Sequence, residues 1–406
     1  MLQWIPRRSV AAGILFFSMA CLPAELRAPE PTVAPSPTAT ASPSPLVAPS
    51  PAPSATLIPT PSPGPPLTDL GGLLRSLTTG WEPKGETAVL QQPGGLDGSI
   101  LIAVPLDGTA PSGVQLLAFG QSAGWEVQPD GGAFAIALLT GAASSRIATW
   151  DPRTGASRWV TADEPGVLQT TPVWSSDGRF IYYSALRPPE GLGIFRIAAD
   201  GSGRVRIRAP EGTGAELGRL TPDGRGLVWA RIQAGNSAEV LDLATGGNAS
   251  FDPTLAATSA GWRASQPRGL VIAGNCCVES GRGTLYLWDD KAGTRRAIYG
   301  TELTPLEGVG SADWDPEGKR IVASVFDTTI SRDVSGPLVI MDENASGRTP
   351  IASTEGATDV RWRSSGILYI KGTATAGAEL WLVPSGGPPG MLFRGGYLGA
   401  WRVVTP

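Results

Sequence analysis

The chain contains no histidine at all. That absence removes Ser-His-Asp and Cys-His catalysis, histidine-ligated zinc and imidazole as a general base from what its own side chains can do. Charge is scarce, at 17% of residues, and the formal net charge is -4 from 32 basic and 36 acidic side chains. Neither nucleic acid nor an anionic membrane surface is therefore an expected partner. No stretch shows the alternating acids and central glycine of a calcium loop, and no glycine pattern suits a phosphate cradle, so no metal and no cofactor is expected. Cysteine is limited to Cys21, Cys276 and Cys277.

What the sequence does have is a repeated phrase. Val173 to Ser184 reads V-W-S-S-D-G-R-F-I-Y-Y-S: a bulky residue, a two-residue Asp-Gly reversal and a run of β-formers, hence two strands joined by a tight turn. Weaker copies begin at Trp81, Val127, Leu220, Trp262, Trp314 and Trp362, with spacings from Trp81 onward of 46, 47, 46, 42, 52 and 48. A second hairpin signature, an apolar strand followed by a turn and Gly, sits in the latter half of the periods, as in I-A-T-W-D-P-R-T-G from Ile147 and V-L-D-L-A-T-G from Val240. Two hairpins per period of this length predict an all-β, seven-bladed propeller of four-stranded blades over 81–406, with six or eight blades as the alternatives. The anchor tryptophans are expected to pack between blades. Trp401, in L-G-A-W-R-V-V, lies 39 residues beyond Trp362 with no blade behind it; its strand is expected to pair with the first blade and latch the ring.

The phrases V-W-S-S-D-G-R-F-I-Y-Y-S, L-T-P-D-G-R-G-L-V-W and A-D-W-D-P-E-G-K-R-I-V-A resemble the repeat of the TolB-like propellers. The resemblance covers the chain from about residue 81 onward and implies a fold much more firmly than an activity. That family's name-giving protein has six blades behind a small α/β domain, in whose place this chain carries a proline-rich segment, so its partnerships do not carry over.

Residues 1–20 have the plan of an export signal: Arg7 and Arg8, the apolar run Val10 to Phe17, which is too short to span a bilayer, then small residues. Ser18-Met19-Ala20-Cys21 resembles the lipobox of bacterial lipoproteins, which implies lipidation at Cys21; plain secretion after ordinary signal cleavage is the alternative. Residues 21–66 form a Pro/Ser/Thr-rich linker, with 14 prolines between Pro29 and Pro66. It reaches at most about 120 Å as a polyproline-like stalk. Residues 67–80 are a lead-in of one or two helical turns with Thr68 or Asp69 as N-cap. The layout predicts an exported, monomeric protein of the cell envelope, touching a membrane only through Cys21.

Candidate chemistry is sparse. Gly120-Gln121-Ser122-Ala123-Gly124 matches a nucleophile elbow, but without a histidine partner it reads as a chance match in a loop between blades. Carboxylate-pair chemistry survives the lack of histidine, yet Asp130, Asp177, Asp223, Asp151, Asp200 and Asp289 all sit in hairpin turns, where aspartate caps its own turn. Cys276-Cys277 are adjacent, so a bridge between them would be a strained ring; a vicinal disulfide and two free thiols both stay open. Three long segments, Arg187 to Gly193, Gly274 to Gly283 and Asp327 to Pro337, fall on the face opposite the Asp-Gly turns. They carry Arg187, Glu190, Cys276, Cys277, Glu279, Arg282, Asp327, Arg332 and Asp333, the candidate binding face for a polar ligand. The reading is a noncatalytic propeller that binds a partner protein or an envelope glycan. The alternative is a carboxylate-based glycosidase or lyase, distinguished by two or three acids converging at the channel mouth.

Overall fold

The computed structural model describes residues 70–406 apart from 95–97, 110–112, 210–214, 222, 232–237, 252–255, 263–268, 275–282, 301–302, 304–306, 328–334, 374–376 and 396–400. All described residues belong to one unit, within Ala55–Pro406. The expected signal, Cys21, the proline-rich linker, Thr68 and Asp69 lie outside the described residues.

One helical turn, α1 (Leu70–Leu73), leads into β1 (Leu74–Ser76), β2 (Thr87–Gly94), β3 (Gly98–Pro105) and β4 (Val114–Phe119). Blade 2 follows as β5 (Ser122–Val127), β6 (Phe134–Gly141), β7 (Ser144–Trp150) and β8 (Ser157–Trp159). Blade 3 is β9 (Leu168–Trp174), β10 (Phe180–Arg187), β11 (Gly191–Ala198) and β12 (Val205–Arg208). Blade 4 is β13 (Ala215–Leu220), β14 (Gly226–Arg231), β15 (Ala238–Asp242) and β16 (Asn248–Ser250). Blade 5 is β17 (Ala256–Trp262), β18 (Gly269–Gly274), β19 (Thr284–Asp289) and β20 (Thr294–Gly300). Blade 6 is β21 (Glu307–Trp314), β22 (Arg320–Asp327), β23 (Leu338–Asp342) and β24 (Thr349–Pro350). Blade 7 is β25 (Ala357–Arg363), β26 (Gly366–Thr373), β27 (Gly377–Pro384) and β28 (Gly390–Gly395), and the last strand is β29 (Trp401–Val404).

Six sheets are antiparallel meanders in chain order; the seventh runs β29-β2-β3-β4-β1. The seven-bladed propeller with four-stranded blades is thus as the repeat spacing predicts. The latch is there too: β29 pairs with β2, Leu90 against Trp401 and Thr87 against Val404. Trp81 differs from its expected place. It belongs to no strand, because the inner strand of blade 1 comes from the other end of the chain; the Trp81 ring packs 6.3 Å from Phe134 of blade 2 instead. Part of the lead-in is also sheet, since β1 adds a fifth, outermost strand to blade 1 through β4.

Local chemistry explains the hairpins. In blade 3 the reversal covers Ser175 to Arg179 rather than the Asp-Gly pair alone: the Ser175 N–H donates to Phe180 O at 2.8 Å and the Gly178 N–H to Ser175 O at 2.9 Å. Asp177 caps it, accepting from Ser175 Oγ at 2.6 Å and Arg179 N at 3.1 Å. Gly178 has φ +67°, and a Cβ there would lie 2.0 Å from Gln128 Nε2 of blade 2, so both conformation and space call for glycine. Asp130, Asp151, Asp200, Asp223 and Asp289 likewise accept backbone N–H bonds in their own turns.

The strands read as nearly continuous apolar runs because both faces of a blade are covered by neighbouring blades. Phe180–Arg187 is buried from Ile181 to Ala185 without alternation. One such seam joins Ala135, Ala137 and Ile147 of blade 2 to Trp174, Ile181 and Tyr183 of blade 3. Trp314 packs against Leu270 and Ile272 of blade 5, and Trp362 against Val322 and Leu338 of blade 6. The interblade role expected of the anchors holds for these three.

Candidate functional site

The inner strands β5, β9, β13, β17, β21 and β25 each shift register against the second strand of their blade. Such bulges twist a strand sharply and re-aim its side chains. In β21 the bulge needs Gly310, where a Cβ would meet the Phe326 ring at 2.4 Å. Downstream of it Ser311 and Asp313 reach across to β25: Ser311 Oγ accepts Val360 N–H at 3.0 Å. Asp313 accepts Trp362 N–H at 3.1 Å, Arg363 Nη1 at 2.9 Å and Trp314 N–H at 3.0 Å. Two similar links follow around the ring. Asp359 of β25 accepts Trp401 Nε1 at 2.6 Å and Arg361 Nη1 at 2.7 Å. Glu126 of β5 accepts Arg402 Nε at 2.7 Å.

Asp313, Asp359 and Glu126 thus stand on inner strands, and each is occupied by an arginine or by backbone and indole N–H groups. A general acid or nucleophile of a glycosidase needs a carboxyl free to meet substrate, and these three serve instead as ties between blades.

On the face opposite the Asp-Gly turns, Arg187 and Glu190 do stand together. Arg187 Nε lies 3.9 Å from Glu190 Oε2. The segment expected to be a long loop is a short one: β10 and β11 pair right up to Arg187 against Gly191, leaving only Pro188, Pro189 and Glu190 unpaired. Arg187 also pairs with Glu164, from the connection between β8 and β9. Glu164 is held as well by Arg204 Nη1 at 2.5 Å, and Gln169 Nε2 donates to it at 3.4 Å. Arg204 sits 4.4 Å over the Phe195 ring, and beside it the fully buried Tyr183 hydroxyl has no hydrogen-bond partner. Burial pushes the Tyr183 phenol well above the usual tyrosine range; Glu164 adds to the rise and Arg204 opposes it. Glu164, Gln169 and Arg204 were not legible as a group, because they come from three different connections or strand ends of the sequence.

Cys276, Cys277, Glu279, Arg282, Arg332 and Asp333 lie outside the described residues. Asp327 closes β22. Ser122 of the elbow-like pentapeptide begins β5, one residue after the β4–β5 connection. It therefore lacks the strand-to-helix turn that a nucleophile elbow requires. Among the described residues no group of three or more Cys, Asp or Glu is placed to hold a metal ion, and no helix is long and apolar enough to cross a membrane.

No protein-family model matches the chain, and no curated protein does either. Solved structures match its fold. Puromycin hydrolase aligns with a TM-score of 0.57 at 14% identity over 80% of this chain and 54% of its own. The propeller domain of the Trilobed protease from Pyrococcus furiosus gives 0.51 at 16% identity, over 79% of this chain and 98% of that domain. TolB from Acinetobacter baumannii also matches, at a TM-score of 0.44 and 15% identity, with 66% of this chain and 63% of TolB covered. The chain thus spans about half the length of the hydrolase it matches.

These comparisons show the propeller fold, and TolB-like propellers are among the neighbours. They overturn the expectation of a noncatalytic propeller for a partner protein or envelope glycan. Among the matching structures with TM-scores above 0.5 are a hydrolase and a protease domain, so a role apart from catalysis does not follow from this fold. At this level of identity the likeness establishes architecture, and the chemistry has to be sought in the residues.

Proposed function

We propose that this propeller is the substrate-handling part of a peptide-hydrolysing assembly. The observation that carries the reading is the pattern of coverage. The whole of a protease's propeller domain is spanned, while only about half of puromycin hydrolase is, so the match is to the part of such enzymes that is a propeller. The composition agrees: with no histidine, the base of a Ser-His-Asp centre has to come from outside these 406 residues. The Arg187, Glu190 and Glu164 group then offers ion-pairing and acceptor groups to a peptide on the face away from the Asp-Gly turns.

The test is to capture the chain from native extract and assay the complex with aminoacyl naphthylamide substrates and a fluorophosphonate label. Peptidase activity that co-elutes with the chain, with the label on another polypeptide, is the expected result. Captured complexes without peptidase activity overturn the proposal. We further propose, on the signal-like residues 1–20 and the lipobox-like Ser18 to Cys21, that the assembly is exported and held through a lipid on Cys21. In the same experiment Cys21→Ser is expected to move the chain from the membrane fraction to the soluble exported fraction. An unchanged distribution rules the anchor out and leaves the hydrolase reading untouched.

A further inference from the structure

Two of the chain's four asparagines begin the tripeptide Asn-Ala-Ser, at Asn248 and Asn344. An asparagine two places before a serine is the acceptor pattern for N-linked glycan, which is added to exported chains at surface loops. The pattern is short and arises easily by chance, so the surroundings of each copy have to separate them. Transfer needs the side-chain nitrogen as a nucleophile, and its lone pair is delocalised into the carbonyl. The carboxamide must therefore be free to turn. Asn248 is not free: it opens β16, its Nδ2 donates to Glu239, and its Oδ1 accepts Trp229 Nε1 at 3.1 Å. Glu239 and Trp229 are 4% and 3% exposed, so both ends of that amide are held against the interior of blade 4. Asn344 stands at the tip of the β23–β24 turn and is exposed. The turn is built without its side chain. The Asp342 carboxylate accepts the Asn344 and Ser346 N–H groups, each at 2.8 Å, and the Ser346 hydroxyl, while Ala345 N–H donates to Asp342 O at 2.9 Å. Arg296 Nη2 of blade 5 donates to Glu343 O at 2.9 Å, which ties the hairpin to its neighbour. The Asn344 carboxamide hydrogen-bonds to none of the described residues.

We propose that Asn344 carries an N-linked glycan. The co-reactant is a glycan joined through diphosphate to a lipid. A bond forms between Asn344 Nδ2 and the anomeric carbon as that carbon's bond to the diphosphate oxygen breaks. The electron pair leaves on the lipid diphosphate, and one amide proton passes to a base of the transferase. Ser346 is exposed as well, and because its hydroxyl gives its proton to Asp342 its lone pairs stay open to a donor on the transferase. Within the antiparallel blade 6, β23 runs in the same direction as β21, so the β23–β24 turn lies on the face of the Asp-Gly turns. A glycan there leaves the face of Arg187 and Glu190 open to peptide. The assignment rests on the export reading and is independent of peptide hydrolysis.

The full chain is isolated from its native host and digested, and the peptides holding Asn344 and Asn248 are fragmented by mass spectrometry. A glycan on Asn344 and none on Asn248 is expected. Asn344→Gln and Ser346→Ala, both at exposed positions, are each expected to remove it with the fold intact. A bare Asn344 in the exported chain overturns the proposal, as does a glycan that survives Ser346→Ala. A chain confined to the cytoplasm counts against export instead, and a second measurement then decides the site. The purified folded chain is incubated with a solubilised oligosaccharyltransferase and its lipid-diphosphate donor. Transfer to Asn344 at least about tenfold faster than to Asn248 is expected, since two hydrogen bonds must open to free the latter. Equal rates, or no transfer to Asn344, overturn the proposal.

Discussion

Blades 1 and 3 share a four-stranded plan, to which β1 adds an outer strand in blade 1, and they differ most at the turn between the two innermost strands. In blade 3 it is covalent, Ser175 to Arg179, and is capped from within by Asp177. In blade 1 the turn is cut. β29 ends near the chain terminus and β2 begins after Trp81, so non-covalent contacts replace the peptide link. Glu86 accepts the Ser364 and Ser365 N–H groups of blade 7 at 3.3 and 2.8 Å. Gly80 N–H donates to Arg153 O of blade 2 at 2.9 Å, and Arg402 reaches Glu126. A local turn closes a loop of a few residues, whereas the latch closes one of more than three hundred. Loop entropy grows only logarithmically with length, so the added cost is about 3–4 kcal/mol, and these contacts offset it. The two blades teach that the ring is weakest where sequence separation is largest.

The sharpest way to break this comparison is to remove residues 399–406. Trp401 and Val404 are 3% and 2% exposed, and their loss uncovers the edge of β2. Losing a buried aromatic alone costs about 3–5 kcal/mol, so a fall in melting temperature of about 10 °C or more is expected by calorimetry. A truncated chain that melts with the full-length protein refutes the latch.

A second experiment sets an ordinary seam against the latch seam. Asp313→Ala removes a side chain 6% exposed that satisfies two donors across the seam of blades 6 and 7 and one in its own strand, and is expected to cost about 3 kcal/mol in urea unfolding. Glu126→Ala removes one arginine contact at the latch from a side chain 16% exposed, and is expected to cost about 1–2 kcal/mol. The reverse order would mean that the latch seam is held more strongly than the in-chain seam, against the comparison.

The smallest effect concerns Glu86. Burial raises its pKa, but hydrogen bonds from Ser365 and Ser364 outweigh burial and hold it below its ordinary value of 4.5. A carboxyl whose folded pKa is depressed contributes stability in full above the unfolded value and loses it as pH falls through the folded one. Wild type and Glu86→Ala are therefore expected to differ at pH 7 and to converge as the pH drops below about 4.5, in melting temperatures recorded across that range. A constant difference down to pH 3 would show that the Glu86 charge is not what closes the ring.

Much of this was legible in advance, for reasons that can be named. Asp177-Gly178 announces a turn because aspartate and glycine meet the needs of the reversal locally. The same chemistry recurs often enough to count the blades, and Trp401 fell at the right distance to be read as a strand without a blade. The Arg187 and Glu190 pair was legible because they stand only three positions apart. Glu164, Asp313 and Glu126 were not, since each is tied to a residue 23 to 276 positions away and no local pattern marks the pairing.

The sequence by itself determined the strands, the turns, the number of blades and the strand that latches them, because each depends on short-range chemistry repeated at a steady period. It also determined, through the lack of histidine, which catalytic centres these residues cannot build. Only the tertiary structure decided that Trp81 belongs outside the inner ring and that Asp313, Asp359 and Glu126 are spent on neighbouring blades. Those outcomes depend on which blade faces pack together, and side chains that meet across a seam are neighbours only after the ring has closed.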